Sequence, residues 1–359
     1  MLTRYDDVEA GFRDIRLSAN RVVPHFEEQP GIRDTVRVLA RWMVFNDPPD
    51  HTRLRRLAQS ALNPRVMHAM AERIQAIVDD LLDRVQGERA IDAISALAFP
   101  LPAIVIAELL GVPADDREDF KRWSDDLLAL IFGAVDESDR YSRAERGLRS
   151  LVDYFQRLVD GYRLQPADNV ISRLIAAEVN GERLGDEELV STCVLILFAG
   201  HETTTNLIGN GLLALLRNRG QLERLRRDPE RSIRPSRSFS ATTARPRSPC
   251  AGSSNPSRLE EGRSPVASGC SSSRRRPTVT PGHFSDPDTL DVGRVANDHL
   301  GFGFGIHYCL GTPLARIEGR AAIETVLRRL PDIELACGTV LEWDRNLLGR
   351  SLKALPVTF

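Results

Sequence analysis

The sequence has little that would tie it to a secreted, membrane-spanning or nucleic-acid-binding class. Its five cysteines, at positions 193, 250, 270, 309 and 337, are odd in number and follow no framework spacing. That excludes a disulfide-stapled fold and fits a reducing compartment. The most apolar run, Cys193 to Gly200, is far short of the ~18 residues a membrane span needs. The start, Met1-Leu2-Thr3-Arg4-Tyr5-Asp6-Asp7-Val8, is charged and has no apolar core of a signal peptide. A formal net charge of −2 gives no electrostatic reason to invoke nucleic acid or an anionic membrane. These absences predict a soluble, cytoplasmic protein with no membrane anchor, and 359 residues suffice for one large core or two ordinary ones.

What the chain does have is concentrated near its C-terminus, in Gly301-Phe302-Gly303-Phe304-Gly305-Ile306-His307-Tyr308-Cys309-Leu310-Gly311. Alternating glycines allow tight turns and positive φ, which brings backbone close to something large and flat. Behind the loop, Thr312-Pro313-Leu314-Ala315-Arg316-Ile317-Glu318 places proline for a first helical turn, with apolar spacing continuing to Leu330. Cys309 therefore sits at a helix N-terminus, where amides and the dipole favour a thiolate. A lone thiolate in such a loop suits a nucleophile or an axial metal ligand. His307 is the only other zinc-type ligand close by in the sequence, which does not make a zinc site.

Two helical stretches carry unusual polar groups. Asp186 suits a helix cap and Glu187 and Glu188 its first turn, after which Leu189 to Leu216 is apolar on nearly every face. About 32 residues at ~1.5 Å each span nearly 50 Å, so this helix is expected to run through the body of the molecule. It is interrupted by Ala199-Gly200-His201-Glu202-Thr203-Thr204-Thr205, and polar groups in a buried helix are costly unless partnered. Either they bond their own backbone as a polar kink, or they open a functional notch. His201-Glu202 lacks the second histidine of a zinc-protease helix. Earlier, Asp47-Pro48-Pro49-Asp50 signals a helix entry, and His51 and Arg55 then share a face at i and i+4. That pair reads as a solvated basic helix or as a grip on carboxylates. Further amphipathic helices are expected over Arg65 to Val85, Ala93 to Leu110, Arg117 to Phe132 and Arg143 to Leu164.

Phe302-Gly303-x-Gly305-x-His307-x-Cys309-x-Gly311 with Leu314-Ala315-Arg316-x-Glu318 resembles the haem-binding loop of bacterial cytochromes P450. The resemblance implies haem b (iron protoporphyrin IX) with Cys309 as its proximal iron ligand, Phe302 beside the sulfur, and His307 reaching a propionate. It also implies that Gly303 and Gly311 shape the loop and that His51 and Arg55 clamp the propionates. Ala199-Gly200-x-Glu202-Thr203-Thr204 resembles the family's oxygen-activating groove, in which Glu202 and Thr203 deliver protons. The implied activity is monooxygenation of a small, largely apolar molecule, with electrons from a ferredoxin-type partner. The implied fold is mostly α (α+β): one domain over residues 1–359, a helical body with a long central helix and small β-sheets. Strands are expected in Asp332 to Leu335 and Leu355 to Phe359.

One segment departs from the pattern. Residues 231–282 form a serine-, arginine- and proline-rich tract whose seven prolines forbid a long buried helix or central strand. Composition alone reads as disorder or a linker. A family member carries a Glu-x-x-Arg helix and pocket strands there, so a pair of compensating frameshifts is one explanation and a genuine insert another. A late start is also expected, because Arg4-Tyr5-Asp6-Asp7-Val8 resembles a segment that relatives precede with several dozen residues. Glu223 and Arg226 match Glu-x-x-Arg in letters only. Asp286-Pro287-x-x-x-Asp291-x-x-Arg294 resembles the family segment whose arginine the Glu-x-x-Arg pair holds, so Arg294 is expected to lose its partner, a loss of ~3–5 kcal/mol in a buried site against a domain stability of ~5–15 kcal/mol. Poor folding and weak haem retention follow as expectations. A haem-deficient product of a damaged gene and a non-catalytic auxiliary protein stand as the alternatives to an active enzyme.

Overall fold

The computed structural model describes residues 4–20, 22–27, 29, 31–116, 119, 122–124, 126–127, 139–228, 283–284, 286, 289–294, 298–343 and 351–359. The tract at 231–282 and most of the helix expected over Arg117 to Phe132 lie outside them. The helices given for these residues are α1 (Tyr5–Arg13), α2 (Val22–Glu27), α3 (Arg33–Leu39), α4 (Asp50–Ala61), α5 (Pro64–Ala69), α6 (Ala71–Asp83), α7 (Pro100–Leu110), α8 (Arg140–Leu164), α9 (Val170–Ala176), α10 (Asp186–Leu216), α11 (Arg219–Arg227) and α12 (Thr312–Arg329). A mostly helical body is what the patterning predicts.

Local chemistry explains most of the boundaries. Asn63 caps α5 by accepting from the Val66 amide at 3.2 Å, with Pro64 in the first turn. The single helix expected over Arg65 to Val85 is two, joined at Met70, where no glycine or proline marks the break. Ala93 to Leu110 also divides: Ile94–Ala98 is a wide π turn, and α7 restarts at Pro100 because proline has no N–H to continue the ladder. Helix α7 stops at Gly111, whose φ of 85° is a left-handed cap.

Helix α10 is the axis of the molecule. Its 31 residues run unbroken, and it packs against α7, α8, α12 and the π turn, so apolar residues on nearly every face are buried. Asp186 does not cap it. Gly185 is the cap residue, and its amide donates to the Glu188 carboxylate at 3.0 Å; Asp186 instead pairs with Arg163. Glu188 also accepts from Arg53 on α4, one bond at 3.2 Å. This pair fixes the helix that carries His51 and Arg55 against the axis.

The sheet is small. Strands β1 (Ala90–Asp92), β2 (Glu334–Leu335) and β3 (Pro356–Thr358) lie in the order β1-β3-β2, all antiparallel, with Val357 opposite both Ile91 and Leu335. The two C-terminal runs pair as expected, and β1 joins them from far back in the chain.

Arg294 corrects an expectation. It is half-buried, and its guanidinium donates to the carbonyls of Asp286 and Thr289, both at 3.2 Å. The turn it belongs to supplies its partners, so no bare buried charge results. Glu223 and Arg226 do form an ion pair, at 2.8 Å within α11. Other residues of α11 reach the turn of Arg294: Arg224 meets Asp291 at 2.9 Å and Gln221 accepts from the Val292 amide at 3.1 Å.

Candidate active site

The glycine loop is built by its own backbone. Gly303 and Gly305 take φ of 74° and 67°, the left-handed region that side chains resist, whereas Gly301 does not. Residues Gly305–His307 then make one tight turn. The Cys309 amide donates to the Phe302 carbonyl at 2.8 Å, which closes the loop onto itself. Helix α12 starts three residues later, with Thr312 donating to the Cys309 carbonyl at 2.9 Å. A feature the sequence did not signal is the cover over this loop. Helix α1 lays Tyr5, Val8 and Phe12 against Phe284, Leu300 and Phe304, and the Arg13 guanidinium stands 4.7 Å from the Phe304 ring.

Cys309 is exposed at the end of the loop. Burial pushes its pKa up; the Gly311 and Thr312 amides, the Thr312 hydroxyl and Arg55 pull the other way without prevailing. The loop's amides act in the direction expected of a helix N-terminus, and burial outweighs them. Bonding to a metal cation inverts that balance, because a coordinating thiol is deprotonated.

His51, Arg55 and His307 come together. The two imidazole rings lie 4.1 Å apart, and Arg55 donates to the Tyr308 carbonyl at 2.5 Å beside the cysteine. Both ring nitrogens of His51 are buried without a hydrogen-bond partner. Burial lowers the pKa of His51 to about 4, with His307 and Arg55 adding to it and Asp47 opposing. Burial likewise lowers His307, and Arg55 adds to that.

This has a consequence for acid stability. In the unfolded chain His51 takes up a proton near its ordinary value of 6.5; in the folded chain it stays neutral down to about pH 4. Between those values the unfolded state holds more protons, so stability is whole above pH ~6.5 and falls as pH drops toward 4, by about 1–3 kcal/mol. Thermal melts at pH 7 and pH 5 check this, and His51→Leu should flatten the difference.

On α10, Thr203 donates to the Ala199 carbonyl at 2.8 Å and Thr205 to the His201 carbonyl at 3.2 Å. The hydroxyls therefore bond their own helix, and it stays continuous. Yet Ala199 and Thr203, one turn apart on one face, are exposed in mid-helix, where their neighbours are buried or half-buried, so an accessible patch lies there. A Cβ on Gly200 would stand 2.8 Å from Ile106 on α7, so glycine lets α7 approach. His201 packs edge-on to Phe99 at 4.5 Å. Helix α12 meets α10 where Gly319 faces Leu207, a Cβ there lying 3.3 Å from the leucine. That contact is about one turn from Thr203 along α10 and about two turns from the start of α12. Glu202, half-buried, is held by Ser351 and Asn206, which sequence patterning did not single out.

The cytochrome P450 family model matches residues 17–245 and 277–331. The chain belongs to the cytochrome P450 family. A polyketide-biosynthesis cytochrome P450, PksS of Bacillus subtilis (strain 168), is 36% identical over 100% of this chain and 88% of its own length. The solved structure of the B. subtilis 168 bacillaene polyketide synthase cytochrome P450 PksS has a TM-score of 0.83 at 33% identity, covering 99% of this chain and 89% of that one. P450BioI, bound to an acyl carrier protein ligated to hexadec-9Z-enoic acid, has a TM-score of 0.84 at 31% identity, covering 100% and 91%.

This cytochrome P450 is thus a haem-dependent monooxygenase, and haem b is the cofactor of its family. Its residues fit that group. The orphaned nitrogens of His51, with Arg55 and His307 alongside, make a cationic and hydrogen-bonding corner suited to carboxylates. The accessible thiol offers one soft ligand of the kind haem iron takes. No helix among the described residues is long and apolar enough to cross a membrane.

Proposed function

We propose that Cys309 ligates the haem iron, that His51, Arg55 and His307 bind its propionates, and that Glu202 and Thr203 deliver protons at the notch. Phe302, Gly303 and Gly311 set the loop around the sulfur, and Ala199 and Gly200 keep the opposite face low. Two observations carry this reading: an exposed cysteine beside Arg55, and an exposed Ala199–Thr203 face on the long helix against which the helix after that cysteine packs. Bound haem supplies thiolate-supported dioxygen activation. The residues of this chain do the rest. The cationic corner orients the group, and the loop amides hold the sulfur's lone pairs. At that face the Thr203 hydroxyl and the Glu202 carboxyl hand on the protons.

The substrate is a small, largely apolar organic molecule, and the electron donor is a ferredoxin-type protein. Support for the substrate class comes from relatives whose names point to acyl-derived chains: a polyketide pathway in one case, a carrier-bound hexadecenoate in the other. The single-domain reading over 1–359, with 231–282 as a replaced segment, belongs to the same proposal.

Reconstitution with a ferredoxin, its reductase and isotopically heavy dioxygen tests it. The expected result with a panel of free fatty acids and macrolactones is one heavy oxygen atom in the product. Incorporation of two atoms, or of none alongside steady reductant use by every panel member, contradicts the assignment.

A further inference from the structure

Glu202 is not a free-standing acid. The Ser351 hydroxyl donates to Glu202 Oε1 at 2.8 Å, and the Asn206 amide donates to the same oxygen at 3.1 Å. The second N–H of Asn206 donates to the Ser351 oxygen at 3.0 Å. Three side chains thereby close a ring in which the hydroxyl proton and both amide protons are used.

The parts of this ring come from distant places. Asn206 is one turn along α10 from Glu202 and so lies on its face. Ser351 lies 149 positions away in sequence, is buried, and is set by the C-terminal pairing in which Leu352 bridges Trp343 and the Lys353 amide donates to Glu342 at 3.1 Å. A carboxylate one residue from the exposed Thr203 is thus anchored to the far end of the chain.

We infer that Ser351 and Asn206 are positioning residues for proton delivery: they pin Oε1 of Glu202 so that Oε2 is the oxygen that takes up and hands on the proton. Two donors on one oxygen occupy its lone pairs and fix the carboxyl plane. One proton leaves through Oε2 toward Thr203 and one returns from solvent, with no electrons moved. The inference rests on the assignment of Glu202 as the acid. Fixed orientation matters because proton transfer by a side chain requires hydrogen-bond reach in the reacting geometry.

The test uses full-length, haem-loaded Ser351→Ala, Asn206→Ala, Ser351→Thr and Glu202→Gln. Oxygen consumption is driven by electrons from a photoreduced deazaflavin, so no protein partner or organic substrate is needed, and is compared in H2O and D2O. The C–O stretch of the reduced carbon monoxide complex is recorded as a readout independent of turnover. Glu202→Gln should slow oxygen consumption about 10²-fold and enlarge the solvent isotope effect. Ser351→Ala and Asn206→Ala should show the same isotope change with a few-fold slowing and a broadened C–O band. Ser351→Thr, which keeps the hydroxyl, should match the unaltered protein.

If Glu202→Gln changes neither readout, the acid assignment itself is wrong. If Glu202→Gln slows the reaction while both alanine variants match the unaltered protein, only the positioning role is overturned. Should Ser351→Ala lose its haem, Asn206→Ala, at a half-buried helical position, carries the comparison.

Discussion

Cys309→Ser is expected to abolish oxygen insertion while leaving the fold intact. The serine oxygen keeps the size of the side chain and the loop's backbone bonds, from the Cys309 amide to Phe302 and from Thr312 to the Cys309 carbonyl, do not depend on sulfur. What is lost is the soft, electron-rich ligand that favours O–O cleavage. The cationic corner of His51, Arg55 and His307 remains, so haem uptake should be weakened and not eliminated. Circular dichroism and haem titration measure the first two expectations, and product analysis measures the third. Full monooxygenase turnover by the serine variant would show that sulfur does not hold the iron.

Thr203→Val should uncouple the reaction instead of stopping it. Valine replaces the hydroxyl with a methyl group at nearly constant volume, and the bond lost is one donated to the helix's own Ala199 carbonyl. A single bond of this kind contributes ~0.5–1.5 kcal/mol, so folding and haem content should change little. Product formation should fall by about 10²-fold, the lower end of what a positioned proton donor supplies. Oxygen and reductant should still be consumed and appear as hydrogen peroxide. Measuring peroxide against product per electron pair checks this; an unchanged ratio would take Thr203 out of the proton path.

Much of this site could be read from residue order because its parts are local. The glycine loop, the helix behind Cys309, and the i, i+4 pair of His51 and Arg55 are each set by a few consecutive residues. Helix α10 declares itself by apolar faces on all sides. Other features depend on contacts that spacing does not encode. Ser351 and Tyr5 reach the site from opposite ends of the chain, and residue spacing points neither of them at it. The thiol's pKa follows a competition in which dipole and amides are local and burial is not. The Asp186 misassignment is of another kind: an acidic residue at a helix start suits both the cap and the first turn, and here Gly185 and Glu188 take the capping bond. Arg294 was expected to need a distant carboxylate, but the carbonyls of its own turn satisfy it.

The presence of a Glu-to-Arg pair in α11, beside a turn that α11 also contacts through Arg224 and Gln221, gives the region around the turn a defined set of polar partners.

The most direct test of thiolate ligation is the carbon monoxide difference spectrum of the purified, haem-loaded and dithionite-reduced protein. A red-shifted, thiolate-type Soret band that disappears in Cys309→Ser is the predicted result. A Soret band typical of imidazole ligation, unchanged by that substitution, would contradict it.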